Sequence, residues 1–139
     1  MHMTQMGERK YVAWDYTVPG ISFCLESGRV TIFKTTLAVM GFPEFYRFLY
    51  KPEKHHLAIE PCAMNDPGAY ALVNVKKDET YDVSSKDFVR MMYHENGWDE
   101  KISYRIAGVA FPAEKAVEFD LNTALEIHEG RVSLGLTQK

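Results

Sequence analysis

The chain has 139 residues, 46% of them hydrophobic and 25% charged, a composition that indicates one globular domain and excludes a disordered polar segment. Its formal net charge of −3 lacks the basic excess that dedicated nucleic-acid-binding proteins usually carry. No run of 18 apolar residues occurs, so we expect no membrane-spanning helix and no membrane partner.

Apolar runs and turn residues in the first half predict a strand, a hairpin, a short helix and two more strands. Pro19-Gly20 precedes the hairpin, Glu26-Ser27-Gly28 forms its turn, and Gly41 provides a left-handed stop for the helix. The predicted elements are strands over 11–16, 21–25 and 29–33, a helix over 36–40 capped by Thr35, and strands over 45–50 and 56–60.

The second half repeats this order, with a longer helix that Asn96-Gly97 ends. Phe88, Met91 and Met92 are expected on the apolar side of that helix. The predicted elements are strands over 70–75 and 80–83, a helix from the capping residue Ser84 to Glu95, strands over 101–107 and 116–119 with 109–111 leading into a Pro112-Ala113-Glu114 turn between them, a helix over 121–128 capped by Asp120, and a strand within the tail 131–139.

The recurrence predicts a single domain, 1–139, built from two pseudo-repeated ββαββ units at 21–61 and 70–120, with a C-terminal helix over 121–130. The fold class is therefore α+β. The alternative to a duplication is that two αβ stretches align by chance. The landmarks that keep their order are Ile32 with Val83, Leu37 with Phe88, Met40 with Met91, Gly41-Phe42 with Gly97-Trp98, and Leu57 and Ile59 with Val117 and Phe119.

One segment of the first unit carries a family pattern: Glu26 through Lys34 reads E-S-G-R-V-T-I-F-K, followed by Leu37, Met40-Gly41-Phe42 and Leu57 through Pro61. It resembles the AbrB-type swapped-hairpin DNA-binding unit, and the two-copy arrangement resembles the MraZ branch of that superfamily. The resemblance implies a small interleaved β-barrel with short helices. Phe33 stands where the family usually has proline, and Glu79-Thr80 replaces Gly-Arg in the second copy.

The resemblance also implies a function, that of a non-enzymatic DNA-binding regulator of transcription. Arg29 and Lys34 fall on the family's DNA-contacting positions, so duplex DNA and a second copy of the chain are the expected partners. The alternative is a protein-interaction module, antitoxin-like or an accessory subunit, that keeps the barrel without DNA binding. Other basic side chains, Arg105 among them, do not transfer by motif.

Motifs for catalysis and metal binding are missing from the sequence. The neighbouring His55 and His56 would face opposite sides of a strand, which makes a poor chelate. Cys24 and Cys62 are expected to be small buried hydrophobes in a reducing compartment, and the polar start 1–10 lacks a secretion signal, so we expect a cytoplasmic protein. The sequence predicts no catalytic residues, no metal and no cofactor.

Overall fold

A computed structural model of the chain describes residues 3–6, 9–12, 14–76, 79–128 and 131–133, with side chains described for 14–76 and 79–128. The fold is mostly sheet, of the α+β class, with a curled antiparallel sheet that forms half a barrel. Its elements within these ranges are β1 (Met3–Met6), β2 (Arg9–Val12), β3 (Gly20–Cys24), β4 (Arg29–Ile32), α1 (Lys34–Met40), β5 (Phe45–Lys51), β6 (His56–Pro61), β7 (Tyr70–Ala71), β8 (Tyr81–Ser84), α2 (Lys86–Asn96), β9 (Ser103–Phe111), β10 (Ala116–Asp120), β11 (Leu125–His128) and β12 (Arg131–Ser133).

The sheet joins strands that are far apart in sequence. One path runs β1-β2-β12-β11-β9-β10-β6-β5-β7, and a branch leaves β9 through β3 and β4 to β8. Every pair in the sheet is antiparallel. The hairpin β3–β4 lies where the sequence predicted it, and so does the β5–β6 pair.

Both helices end as their sequences predict. Gly41 and Gly97 adopt left-handed backbone conformations with φ of +77° and +62°, and each donates its N–H to a carbonyl of the last helical turn. The helix starts differ from the prediction. Helix α1 begins at Lys34, and the Thr35 hydroxyl donates to the Val18 carbonyl oxygen, 2.9 Å away, instead of capping the helix.

A C-terminal helix over 121–130 was expected, and this prediction is wrong. Asp120 does accept a hydrogen bond from the Asn122 N–H, but only a single 3₁₀ turn, Leu121–Thr123, follows. The next residues form β11, which pairs with Ser103–Arg105 of β9. The open edge of β9, about 20 residues earlier in the chain, supplies the backbone partners of β11. The helical spacing of Leu121 and Leu125 carries no information about that distant edge.

The predicted strand over 101–107 is longer in the structure, because β9 continues through 109–111, the residues expected to lead into a turn, and ends at Phe111. Its first half pairs with β3 and β11 and its second half with β10. Gly108 lies at the change of partner, where an added Cβ would come 2.5 Å from Val117 Cγ1 and 2.7 Å from Phe119 Cε1. A glycine therefore allows β9 to pack closely against these two side chains of β10.

The inner face of the curled sheet packs against both helices. Alternate residues of β3, β4, β6, β9 and β10 point inward, as the two-residue period of a strand requires. Met91 is 42% exposed, so the expected apolar side of α2 is shifted, with Val89, Met92 and Tyr93 buried. The largest fully buried side chains are Tyr46, Phe23, Phe119, Ile21, Ile32, Leu37, Met40, Leu57, Ile59, Met92, Ile106 and Leu121.

Candidate nucleic-acid interface

The hairpin turn that precedes Arg29 is held by the start of α2. Gly28 has φ of +64°, and its N–H donates to the Leu25 carbonyl oxygen, 3.1 Å away. Its own carbonyl oxygen accepts a hydrogen bond of 2.9 Å from the Ser85 N–H, and the Lys86 side chain lies over it. Arg29 therefore leaves the turn from a fixed backbone position.

Arg29 and Arg105 lie on the same outer surface of the sheet. The register of β8, β4, β3 and β9 places outward-facing residues in two neighbouring cross-strand rows. The first row is Ser84, Arg29, Cys24 and Ser103, and the second is Asp82, Thr31, Ser22 and Arg105. Asp82 is the one carboxylate among these eight positions.

Arg29 is half-exposed and only loosely paired. Its Nε lies 3.9 Å from Asp82 Oδ2, and side-chain exposures are 48% for Arg29 and 51% for Asp82. The other Asp82 oxygen accepts a hydrogen bond of 2.7 Å from the Thr31 hydroxyl. An ion pair this long and this exposed contributes little free energy, so Arg29 can exchange Asp82 for another anion at little cost.

Lys34 is exposed at the start of α1 and lines a cavity with Arg105. The Arg105 guanidinium carbon lies 5.2 Å from the centre of the Trp14 ring and 5.3 Å from that of Phe33. We call the surface formed by Arg29, Lys34 and Arg105 the basic face. The structure places both predicted DNA-contacting residues on it and adds Arg105, which no local sequence motif marks.

Cys24 lies between Arg29 and Ser103 in the first row. Burial raises the pKa of its thiol, but hydrogen bonds with the side chains of Ser27 and Ser103 and with nearby backbone outweigh burial, so the pKa lies below its ordinary value. In the described part of the chain, no hydrogen bond joins Cys24 or Cys62 to a histidine.

The two neighbouring histidines have separate partners. His56 Nδ1 lies 3.0 Å from Glu118 Oε1, while His55 Nδ1 lies 2.9 Å from Asn96 Oδ1. His55 belongs to the turn before β6 and has φ of +56°. Within the described ranges, no three histidine, cysteine or carboxylate side chains converge as metal ligands would.

Two further observations concern the protein beyond this surface. Among the described residues, no helix has the length and apolar character needed to cross a membrane. Comparison of the chain with protein-family models, with curated proteins and with solved structures finds no match.

Proposed function

We propose that the protein is an AbrB/MraZ-like DNA-binding regulator, acting in the cytoplasm, whose basic face contacts the DNA backbone. The observation that carries the proposal is the convergence of Arg29, Lys34 and Arg105 on one outer surface, where Asp82 is the one carboxylate among the eight outward positions of the two rows. Arginine and lysine neutralise phosphates, and arginine also reads guanine edges.

The spacing of the two arginines supports this proposal. Arg29 on β4 and Arg105 on β9 are separated by the intervening strand β3 and by one row along the sheet. With strands about 4.8 Å apart and about 3.4 Å per residue, their Cα atoms lie about 12 Å from one another. The major groove of B-DNA is about 12 Å wide, so long side chains from these positions can reach phosphates on both of its edges.

We also propose that the fold is an interleaved pair of ββαββ units, and the strand registers support it. In the β4–β8 ladder, Val30 lies opposite Val83 and Ile32 opposite Tyr81. A two-fold axis that equates Ile32 with Val83 and Val30 with Tyr81 exchanges these two pairs. The same axis would equate Leu57 with Val117 and Ile59 with Phe119, and β6 and β10 pair Leu57 opposite Phe119 and Ile59 opposite Val117.

The helices fit such an axis with a one-residue change to the alignment. Counted from the first residue of each helix, Leu37 corresponds to Val89 and Met40 to Met92, and all four side chains are buried. Burial therefore favours the pairing of Met40 with Met92 over its pairing with Met91, which is 42% exposed. Strands also cross between the proposed units, since β3 pairs with β9 and β7 with β5.

Salt-dependent binding to duplex DNA tests the function. We expect a fluorescently labelled random duplex to bind at about 50 mM salt and to be released as salt rises, because phosphate contacts displace counterions. The second unit has Thr80 where the first has Arg29, so tight binding should require a homodimer that presents two basic faces. Light scattering during chromatography, with and without DNA, measures that stoichiometry.

Two arginine variants locate the interface. Arg29→Ala should weaken binding by about 1–3 kcal/mol if Arg29 reads a base, or lower the salt slope by about one if it contacts phosphate. Arg47→Ala is the control, because Arg47 lies on β5, outside the basic face, and pairs with Glu60 at 2.9 Å. Equal losses in the two variants, or no binding by the wild-type protein at about 50 mM salt, would contradict the proposal.

A second candidate function is protein interaction, and one surface favours it. Leu49 and Val109, which are 44% and 63% exposed, lie in one outward row across β5, β6, β10 and β9, with Ala58 and Glu118 between them. Phe111, 42% exposed, lies in the next row. If the DNA experiment fails, Val109→Glu should disrupt any self-association or partner complex that this apolar surface forms.

A further inference from the structure

A cavity of about 470 Å³ opens on the basic face between the start of α1 and strand β9. Its volume falls in the range of small-molecule sites. The described residues that line it supply two cations, four aliphatic hydroxyls and two aromatic rings, and none of them is a carboxylate. They are Lys34 and Arg105, then Ser22, Thr31, Thr35 and Thr80, and finally Tyr16 and Phe33.

Aromatic rings hold the Arg105 guanidinium in place. It packs against Trp14 and Phe33, whose rings meet edge to face with centres 5.9 Å apart. Its Nη1 donates to the Tyr16 hydroxyl at 3.4 Å. Gly20 makes the close packing possible, because a Cβ there would lie 2.6 Å from Phe33 Cδ2 and 3.2 Å from Trp14 Cζ2. The cation is thus oriented before any ligand arrives.

The hydrogen-bonding capacity of the cavity is incompletely used within the described residues. Arg105 Nε is buried and has no acceptor among them. A buried charged donor without a partner is costly, so an acceptor arriving there regains that free energy. The hydroxyls of Ser22 and Thr80 form no hydrogen bond within the described chain, whereas those of Thr31 and Thr35 donate to Asp82 and to the Val18 carbonyl.

We propose that this cavity binds a small organic phosphate monoester that carries a flat apolar group. The phosphate would accept hydrogen bonds from Arg105 and Lys34 and from the free hydroxyls, since two cations and several donors match a dianion with three terminal oxygens. The flat group would cover the Tyr16 ring, which is 62% exposed and stacked on Phe33 with ring centres 6.3 Å apart.

The inference goes beyond DNA binding, and its test contains no DNA. Calorimetric titration of the full-length protein with phenyl phosphate should show saturable one-site binding. Inorganic phosphate should bind more weakly because it has no ring, and benzoate more weakly because it carries one charge. Saturable phenyl phosphate binding by a protein that fails to bind DNA would uphold the cavity and reject the proposed function, so the two failures are distinguishable.

Matched arginine variants assign the site. Arg105→Gln should lower the affinity for phenyl phosphate by about 10- to 100-fold, the loss expected for a charge-assisted hydrogen bond. Arg47→Gln, outside the cavity, should leave the affinity unchanged. Lys34→Gln provides a second test if Arg105→Gln does not fold, since Lys34 is exposed at a helix start and its replacement should not disturb folding. This variant should lower the affinity for phenyl phosphate by about tenfold.

Three results would overturn the proposal. The first is no saturable binding of phenyl phosphate up to about 10 mM, beyond the weakest affinity a useful site would have. The second is equal affinity for phenyl phosphate and inorganic phosphate, which would remove the role of the rings. The third is unchanged affinity in both Arg105→Gln and Lys34→Gln.

Discussion

At the scale of single residues, the turn before Arg29 depends on a glycine that no other residue can replace without strain. Gly28 combines φ of +64° with close contact, because an added Cβ would lie 2.5 Å from Lys86 Cγ and 3.2 Å from Lys86 Cα. Gly68 has a similar φ of +76° but no heavy atom within 4 Å of the same position. An alanine at Gly28 would therefore meet both backbone strain and steric overlap, whereas an alanine at Gly68 would meet backbone strain alone.

Gly28→Ala should lower the free energy of unfolding by about 2–3 kcal/mol, because strain and overlap add. Gly68→Ala should cost about 1 kcal/mol, from strain alone. Urea denaturation of both variants measures the difference. Equal costs would mean that Lys86 moves aside freely and does not hold the turn.

The buried hydroxyl of Tyr93 should make the free energy of unfolding fall at alkaline pH. Burial raises the pKa of its hydroxyl well above the ordinary value, and the hydroxyl lies 3.1 Å from the carbonyl oxygen of Phe23 and 2.5 Å from that of Ile102. Burial raises the pKa of Tyr46 in the same way. Because the folded pKa exceeds the unfolded value of about 10, the stabilisation is complete below about pH 10 and is lost as pH rises toward the folded pKa.

We expect the free energy of unfolding to fall above about pH 10 by about 1.4 kcal/mol per pH unit for each of these tyrosines. Tyr93→Phe should remove one such contribution, so its stability should decline less steeply over the same interval. Urea denaturation at about pH 9, 10.5 and 11.5 measures both slopes. Parallel slopes would show that the Tyr93 hydroxyl ionises as readily in the folded protein as in the unfolded chain.

At the scale of elements, the residue after each helix-ending glycine anchors the helix to the core. The N–H of Phe42 donates to the Leu37 carbonyl at 3.1 Å, and that of Trp98 to the Tyr93 carbonyl at 3.0 Å. Phe42 and Trp98 are both partly buried against the core. Trp98 makes ring contacts to Phe23, Tyr93 and Tyr104 with centres 4.7–5.6 Å apart.

Truncation of Trp98 to alanine should lower the free energy of unfolding by about 3–5 kcal/mol, because it removes ring contacts and leaves a cavity beside α2. Met64→Ala is the control, because Met64 is 73% exposed and should change stability by less than about 0.5 kcal/mol. Chemical denaturation compares the two. A loss under about 1 kcal/mol for Trp98→Ala would show that the aromatic cluster does not anchor the helix.

At the scale of the whole molecule, the two halves of the chain complete one sheet. The ladders β3–β9, β4–β8, β5–β7 and β6–β10 each join a strand before residue 69 to one after it. Separating the halves would expose the edges of all these strands and open the core between them. Neither half should be stable as an independent monomer.

Separate expression of residues 14–69 and 70–133 tests this dependence. Each fragment alone should lack the dispersed amide spectrum of a folded domain, and mixing them should restore it. Heteronuclear NMR spectra give this result, with light scattering to exclude a homodimer of either fragment. Cooperative folding of the 14–69 fragment as a monomer would contradict the shared core.

The hairpin turn, the ends of both helices and the inward faces of two strands follow from the sequence alone. Turn and stop residues act within a few positions of themselves, so Gly28, Gly41 and Gly97 mark the hairpin turn and both helix ends. Alternating apolar residues likewise identify β4 and β6 with their inward faces. The resemblance of the segment 26–34 to the AbrB-type unit singled out Arg29, which lies half-exposed on an outer sheet face.

Only the tertiary structure decided what depends on distant strands. The segment after Asp120 carries leucines at helical spacing, yet it is a strand because the edge of β9 supplies its backbone partners. Arg105 and Lys34 line the same cavity because β9 pairs with β3. Phe33 then packs against the Arg105 guanidinium. Strand pairing satisfies backbone hydrogen bonds across long stretches of chain, and no pattern within one segment records which edge will be free.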